Sequence, residues 1–330
     1  MSDSHSAGDR AELSEVWKQH SRVLEDGPLV KITCAVDGSE FSHWGVEALS
    51  ALGCHPPDTV YLLHVVDTPA IKASGGKNPA NWKRALAAMD KAGAESLRYL
   101  AQAAATALSQ AVTSPRTKVR TVLAHGPVAQ TIVKHADRHR ADLLIVGSRG
   151  LSDVRGFLLG SVSRKVMSLA SHPILVVKRP LRELRDVLLA VDGSKHSRAA
   201  AEFLRDRLLP ESAHLTVLSV AELIVTELAA RVLSKTQLDQ LTQPMQEKAS
   251  QIVTEFREMF VKEGCAVSTE VLTGHPSQMI LQHLETNRSD LLVVGSRGLT
   301  GTERFQLGSV SETLLKYAPC SVLVVRGWHA

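Results

Sequence analysis

The sequence has few of the features that mark a secreted, membrane-spanning or nucleic-acid-binding protein. Its four cysteines are far apart and form no C-x-x-C pair, so neither a disulfide framework nor a zinc site is expected. No apolar run approaches the roughly 20 residues that a membrane span needs. Residues 1–26 are polar and lack the apolar core of a secretory signal. We therefore expect a soluble protein of the cytoplasm.

Charge and aromatic content are also low for a protein that binds nucleic acid. The 38 Lys and Arg exceed the 34 Asp and Glu by only four charges, which are spread along the chain. Aromatic residues make up 4% of the chain, too few for stacking successive bases. Neither a nucleic acid nor a membrane is an expected partner.

The chain contains an internal repeat. Val146–Ser163 reads VGSRGLSDVRGFLLGSVS and Val294–Ser311 reads VGSRGLTGTERFQLGSVS, with 12 of 18 positions identical. The pentapeptide AVDGS occurs at Ala35–Ser39 and again at Ala190–Ser194. The spacing of about 150 residues predicts two tandem domains and excludes a short-period solenoid.

The domain boundary is expected within KRPLRELR, Lys178–Arg185, which is charged, contains a proline and separates two apolar runs. We predict one domain over residues 29–179 and a second over 180–330. Residues 1–28 form an N-terminal extension. Apolar residues at helical spacing favour an amphipathic helix there, with a frayed tail as the alternative.

Short apolar runs alternate with helical patterns in both halves. Strands that are apolar throughout and separated by helices indicate a parallel sheet covered on both faces. Each half is therefore predicted to be a doubly wound α/β domain of five strands. The strands expected in the first half are 30–36, 60–66, 118–123, 143–146 and 174–177, and those in the second half are 187–191, 214–220, 267–272, 291–294 and 322–325.

A Gly-rich loop follows the fourth predicted strand of each half. Gly147 and Gly150 are followed, after nine residues, by Gly160-Ser161-Val162-Ser163, and the second half repeats this spacing. Glycine lets main-chain N–H groups approach an anion, and a helix N-terminus favours phosphate. An ordinary helix cap is the other interpretation. The same spacing in both halves favours a phosphate site.

This loop, G-2x-G-9x-G-S, together with the early AVDGS, resembles the ATP-binding branch of the universal stress protein family. The resemblance covers about residues 29–326. It implies a five-stranded parallel sheet of order 3-2-1-4-5 in each domain, with ATP across the carboxyl ends of strands 1 and 4. It also implies that the two domains pack as an intramolecular pseudo-dimer.

The resemblance implies a role for each matching residue. Asp37 and Asp192 contact the adenosine moiety, Val65 and Val220 contact adenine, and the loop residues bind phosphates and ribose. Mg²⁺ is held through the phosphates, and no protein metal ligand or catalytic residue is assigned. The implied loop residues are Gly147, Gly150, Gly160, Ser161, Val162 and Ser163 in the first half and Gly295, Gly298, Gly308, Ser309, Val310 and Ser311 in the second.

Two features differ between the halves. The residue before Val65 is His64, the family's common form, whereas the second half has Ser219. The loop interiors also differ, DVRG at 153–156 against GTER at 301–304. The adenine rim and the two affinities are therefore not expected to be identical.

Several candidates keep alternative interpretations. Asp-Gly-Ser after a strand is also an ordinary turn and helix cap. Arg149 and Arg297 either pair with phosphate or extend into solvent. The segment Ser74–Lys77 lacks P-loop spacing and is interpreted as a flexible connection or a lid. Surface positions are favoured over a metal site for the histidines that recur in similar regions, namely His125, His135, His139, His275 and His283.

Three functions remain open from the sequence. The first is an ATP-binding stress-response regulator that uses one or both domains and acts on a protein partner. The second is a slow ATPase or nucleotidyl-transfer enzyme on the same scaffold, although no general base is evident. The third is an assembly module without essential nucleotide binding. Homodimerisation is optional, because the terminal strands can pair within the chain.

Overall fold

The structure is a computed structural model that describes residues 30–52, 59–74, 79–110, 117–151, 159–222, 234–262, 264–298 and 307–326. The predicted N-terminal extension and both loop interiors lie outside these residues. Within them the chain forms ten strands that join into one sheet. The strands are β1 Lys31–Ala35, β2 Thr59–Val66, β3 Lys118–His125, β4 Leu143–Gly147, β5 Ile174–Val177, β6 Asp186–Ala190, β7 His214–Ala221, β8 Ala266–Thr273, β9 Leu291–Gly295 and β10 Ser321–Val325.

Helices connect the strands, and serine side chains begin several of them. The side chains of Ser39, Ser194 and Ser234 accept hydrogen bonds from backbone N–H groups in the first helical turn, as N-caps do. The helices described are α1 Glu40–Glu47, α2 Thr68–Ser74, α3 Pro79–Gln110, α4 Val128–His139, α5 Ser161–Leu169, α6 Lys195–Phe203, α7 Lys235–Val261, α8 Pro276–Thr286 and α9 Ser309–Tyr317.

The strand order confirms the predicted architecture in both halves. The sheet runs β3-β2-β1-β4-β5-β10-β9-β6-β7-β8, which is the order 3-2-1-4-5 followed by its reverse. All neighbours within a half are parallel, whereas β5 and β10 pair antiparallel. The two domains therefore share one continuous sheet as an intramolecular pseudo-dimer.

Each face of the sheet carries one apolar layer that spans both domains. The first layer contains Cys34 and Leu62 from one domain with Leu189 and Phe256 from the other, under α1, α3, α6 and α7. The second layer lies under α4, α5, α8 and α9. Burial on both faces explains why the inner strands of the sheet read as apolar runs in the sequence, whereas the edge strands β3 and β8 include polar and exposed residues.

At the junction between the domains, a basic residue from each domain donates hydrogen bonds to a helix end of the other domain. Lys178, which follows β5, donates from Nζ to the carbonyl oxygens of Ala318 at 2.7 Å and Lys316 at 3.4 Å, at the end of α9. Arg326, which follows β10, donates from Nη1 to Met167 at 2.7 Å and Ala170 at 2.9 Å, at the end of α5. Each cation thus satisfies helix C-terminal carbonyls of the opposite domain.

The structure also differs locally from the predicted elements. Helix α2 is not predicted, since Thr68–Ser74 is short and begins Thr-Pro. It extends to Ser74, the first residue of the predicted flexible connection. Helix α1 is followed by a 3₁₀ turn at Ala48–Ala51, and its counterpart α6 is followed by a π turn at Leu204–Leu208, neither of which the helical spacing indicates.

The connection between the domains is packed against the body of the protein. Leu181 and Leu184 are each 3% exposed and belong to the first apolar layer, although charged residues surround them in the sequence.

In the part of the chain that the structure describes, no helix combines the length and apolar character needed to cross a membrane.

Cysteine burial gives a direct test of the packing. Cys34 and Cys320 are buried, and burial raises the pKa of Cys34 to about 12 and that of Cys320 to about 11. Cys265 is half-buried. We expect a maleimide to label Cys265 in the native protein while Cys34 and Cys320 stay protected. Raising the pH to 9 will not make these two thiols reactive, because a thiol with a pKa near 11 is then only about 1% thiolate.

Peptide mass spectrometry after labelling measures this protection. Labelling in guanidinium chloride is the control, because every cysteine should react once the chain is unfolded. Native labelling of Cys34 at the rate of Cys265 would contradict the described core.

Candidate functional site

The AVDGS segments form the same turn at the carboxyl ends of β1 and β6. Asp37 Oδ1 accepts a hydrogen bond from Ser39 N at 2.9 Å, and Asp192 Oδ1 accepts one from Ser194 N at 3.0 Å. The glycines between them have φ values of 85° and 77°, where glycine is favoured. Asp-Gly-Ser therefore forms a turn and helix cap in both domains, with the aspartate in the turn and the serine as the N-cap.

The second carboxylate oxygen of each aspartate faces the Gly-rich loop. Asp37 Oδ2 accepts a hydrogen bond from Leu151 N at 3.0 Å. A methyl group placed on Gly298 would lie 2.8 Å from Asp192 Oδ2, so glycine lets this carboxylate keep its position, and any other residue would have to displace it. The strand-1 turn and the strand-4 loop are thus brought together at the topological switch point of each domain.

Gly147 and Gly295 have a packing role at the start of the loop. A Cβ on Gly147 would approach Phe41 Cβ to 2.8 Å, and one on Gly295 would approach the backbone carbon of His196 to 2.6 Å. Both helices, α1 and α6, therefore pass close to the end of the fourth strand. This contact explains these two glycines without a ligand.

Ser163 and Ser311 are buried and hold the loop closed. Ser163 Oγ donates to Gly147 O at 2.6 Å, and Ser311 Oγ donates to Gly295 O at 2.8 Å. In the structure these hydroxyl groups join the start of the helix to the end of the strand. A phosphate contact through Ser163 or Ser311 would use the backbone N–H group.

The starts of α5 and α9 have the features of an anion site. Gly160 and Gly308 are the N-caps, and neither helix has a side-chain cap. Ser161 and Ser309, the first helical residues, are exposed. N–H groups at an uncapped helix start carry partial positive charge and favour an anion.

A cavity of about 810 Å³ opens at this edge of the second domain. Its volume lies within the range typical of small-molecule sites. Leu218, Ala249, Ile252 and Leu307 give it apolar walls. All eight residues predicted for the second site line it, namely Asp192, Val220, Gly295, Gly298, Gly308, Ser309, Val310 and Ser311.

The backbone of Val220 is directed into this cavity. Strand β7 runs past the last residue that pairs with β6, Leu218, whose carbonyl accepts from Val191 N at 2.9 Å. Backbone groups alternate in direction along a strand, so Val220 points to the same side as Leu218, beyond the end of β6. Val65 has the equivalent position in β2, because Leu63 O accepts from Val36 N at 2.9 Å.

The cavity also contains charged groups that the sequence did not indicate. Lys248 lies on α7, and Glu222 follows β7. Ser96 contacts Gly38 in the first domain as Ile252 contacts Gly193 in the second, which aligns Lys248 with Ala92. The position of Lys248 is therefore occupied by alanine in the first domain. Nothing in the helical pattern of α7 distinguishes Lys248 from a solvent-facing lysine.

The base-side wall differs between the domains, as His64 and Ser219 predict. His64 Nδ1 lies 3.0 Å from Val36 O, and its ring packs against Gly93, where a Cβ would come within 2.7 Å. Burial lowers the pKa of His64, with Val36 O and Asp37 opposing the effect. Ser219 is buried, and Ala249 takes the place of Gly93.

The loop arginines are partly buried. The Arg149 guanidinium lies 4.6 Å from the centre of the Phe41 ring. Arg149 Nε is buried and has no hydrogen-bond partner among the described residues. In the second domain His196 takes the position of Phe41, and burial lowers its pKa, with further lowering by Lys195 and Arg297.

The recurring histidines are not all at the surface. His283 is 8% exposed, with Nδ1 3.0 Å from Glu270, so the surface prediction is wrong for it. His135 and His139 are half-buried against Tyr61, and burial together with His139 and Arg138 lowers the pKa of His135 to about 4. Among the described residues, no group of three or more His, Cys, Asp or Glu could hold a metal ion.

Two glycines of one loop should respond differently to an added methyl group. Gly295→Ala collides with the backbone of His196, whereas a Cβ on Gly308 meets Arg297 Cα at 3.3 Å. We expect Gly295→Ala to lower the free energy of unfolding by about 2–4 kcal/mol and Gly308→Ala by under about 1 kcal/mol. Urea unfolding without ligand measures both. Equal losses would show that packing against α6 does not require Gly295.

The chain matches the model of the Universal stress protein family at residues 30–178 and 183–326. YxiE of Bacillus subtilis is 29% identical over 144 residues, which cover 42% of this chain and 97% of YxiE. A universal stress protein of Methanocaldococcus jannaschii is 36% identical over 86 residues, 26% of this chain and 51% of that relative.

A solved structure shares the fold over most of the chain. A universal stress protein from Archaeoglobus fulgidus superposes with a TM-score of 0.61 at 21% identity, covering 90% of this chain and 98% of that one. A family protein from Arabidopsis thaliana solved with AMP bound is 24% identical and covers 43% of this chain and 90% of that chain, with a TM-score of 0.33. The two family matches together span most of the sequence, and the chain belongs to the universal stress protein family.

Proposed function

We propose that the chain binds ATP at one site in each domain and acts as a stress-response regulator. The observation that carries this proposal is the cavity of the second domain. Its wall contains Asp192, Val220 and the whole predicted set of loop residues, although these come from four separate stretches of sequence. We further propose that the two functional units extend over residues 29–179 and 180–330, and that the protein acts in the cytoplasm.

Adenine fits the region beside β7. The N–H and C=O groups of Val220 point past the end of β6, and a donor and an acceptor at one edge match the edge of the adenine ring. The apolar side chains of Ala249, Ile252 and Leu218 can pack against the faces of the adenine ring. An aromatic stacking partner is not required for this arrangement.

Ribose and phosphates continue from adenine toward the start of α9. Asp192 lies between the base-side wall and the loop, where a carboxylate can accept hydrogen bonds from ribose hydroxyl groups. The uncapped N–H groups of Ser309 and Val310 then meet the phosphates, and Arg297 and Lys248 add positive charge to the cavity.

Mg²⁺ would be bound through phosphate oxygens, where it neutralises part of their charge. The protein side of the cavity fits this arrangement, because it offers backbone donors and cations and has two carboxylates, Asp192 and Glu222. Oδ1 of Asp192 accepts from Ser194 N, which leaves Oδ2 for the ribose hydroxyl groups. No reaction step is assigned to these residues.

The first domain supports a second site of the same kind. Asp37, Val65 and the uncapped start of α5 repeat the arrangement. The buried Nε of Arg149, without a partner among the described residues, is a donor beside the loop that an anion could satisfy. His64 gives this site a bulkier base-side wall than Ser219 gives the second.

A charge placed at the helix start tests the phosphate assignment. Ser309→Glu puts a carboxylate at an exposed first-turn position, where acidic residues favour the helix but repel phosphate. We expect it to weaken Mg-ATP binding at the second site at least about tenfold. Ser309→Gln is the matched control, with similar size and no charge, and should retain binding. Isothermal titration calorimetry measures both affinities.

The same experiment separates the candidate functions. Two bound nucleotides in the wild-type chain and one in Ser309→Glu would support both sites. Absence of binding would reject the proposal in favour of an assembly module. Equal affinities of the Glu and Gln variants would reject the loop assignment alone. Timed product analysis of the bound nucleotide then distinguishes a regulator from a slow ATPase.

A further inference from the structure

The two Gly-rich loops are each hydrogen-bonded to the strand that ends at the domain junction. In the first domain Gly160 N donates to Ser148 O at 2.7 Å, and Ser148 N donates to Val177 O at 2.8 Å. In the second domain Gly308 N donates to Ser296 O, and Ser296 N donates to Val325 O, both at 2.9 Å. Each helix start is therefore tied to the last residue of β5 or β10.

The residues that follow these strands are the two cations of the junction. Lys178 comes directly after Val177 and holds the end of α9, and Arg326 comes directly after Val325 and holds the end of α5. Both helices have nine residues and span about 13 Å. Each helix thus begins at the loop of its own domain and ends on a cation of the other.

Together these contacts form a closed circuit, which we term the cross-domain ring. It passes from one loop through a strand end and a cation into the helix of the other domain, and returns the same way. Its members in order are Gly160, Ser148, Val177, Lys178, α9, Gly308, Ser296, Val325, Arg326 and α5.

We propose that the two nucleotide sites are coupled through the cross-domain ring, so that ATP bound in one domain raises the affinity of the other. The inference rests on the proposed function, because both ends of the coupling are the phosphate-binding helix starts. Cooperativity between the two sites is an additional property, since each domain could bind ATP without it.

The coupling is expected to be positive, because ligand binding in either domain orders parts of the same ring of contacts. Phosphate on the N–H groups of α5 fixes that helix against Ser148, and the far end of α5 is bonded to Arg326. Arg326 is continuous with Val325, whose carbonyl holds the loop of the second site. The first ligand therefore orders contacts that the second ligand would otherwise have to order, which favours positive cooperativity.

The ring also has a purely structural interpretation, in which the cations only join the domains. That role predicts lower stability on mutation but the same ratio of first to second affinity. Coupling predicts a change in that ratio. The decisive measurement is therefore the ratio of the two dissociation constants for Mg-ATP, determined by calorimetry on the full chain.

Variants of the cations give a matched set. Lys178→Met and Arg326→Met remove the donors to the opposite helix. Lys178→Arg and Arg326→Lys keep a donor, because both lysine and arginine already bond a helix end in this chain. Arg179→Met is the charge control, because Arg179 is exposed beside Lys178. Site-blocked Ser161→Glu and Ser309→Glu give the affinity of each site while the other is empty.

We expect the second ATP to bind the wild-type chain about fivefold or more tightly than ATP binds either site-blocked variant. The Met variants should lose this difference, and the Arg, Lys and Arg179→Met variants should keep it. Two nucleotides bound with independent affinities, or cooperativity unchanged in both Met variants, would overturn the coupling and leave the proposed function intact. Binding of a single nucleotide would overturn it too, and absence of binding would reject both proposals.

Discussion

Three residues of β5 pair antiparallel with three residues of β10, and this short ladder joins two parallel sheets into one. The valines, leucines and isoleucine of the ladder are at most 1% exposed, so either strand left at an edge would present an apolar face and unpaired backbone groups to water. Pairing them removes both edges at once. The continuous apolar layers on the two faces, and the exchange of Lys178 and Arg326 between domains, depend on this alignment.

Much of the fold can be predicted from the sequence because parallel strands buried on both faces must be apolar along their whole length. The run Ile174–Val177 corresponds residue for residue to β5. Helix α2 escapes the same reasoning, since seven residues beginning Thr-Pro have too little periodicity to distinguish a helix from a loop. The 3₁₀ and π turns that end two helices depend on packing, which periodicity does not encode.

In the candidate site, too, the sequence predicts some residues, whereas their contacts are seen only in the structure. Repetition identifies the loop glycines, but their individual reasons emerge only from contacts: Gly295 accommodates the backbone of α6, whereas Gly298 accommodates the Asp192 carboxylate. Ser163 and Ser311 have the residue type expected of phosphate ligands, and only the structure shows that their hydroxyl groups bond to the strand ends. Lys248 could not be found from sequence, because its place in the cavity depends on how α7 lies across β7.

Covalent fusion of the two domains has a consequence for how the junction can change. In a symmetric homodimer every substitution appears on both sides of the axis, so the two halves of an interface must remain identical. In this chain the equivalent positions have already separated into lysine and arginine, two cations that bond helix ends but differ in shape and hydration. A substitution in one domain can thus change its side of the junction or its cavity while the other domain keeps its original residues.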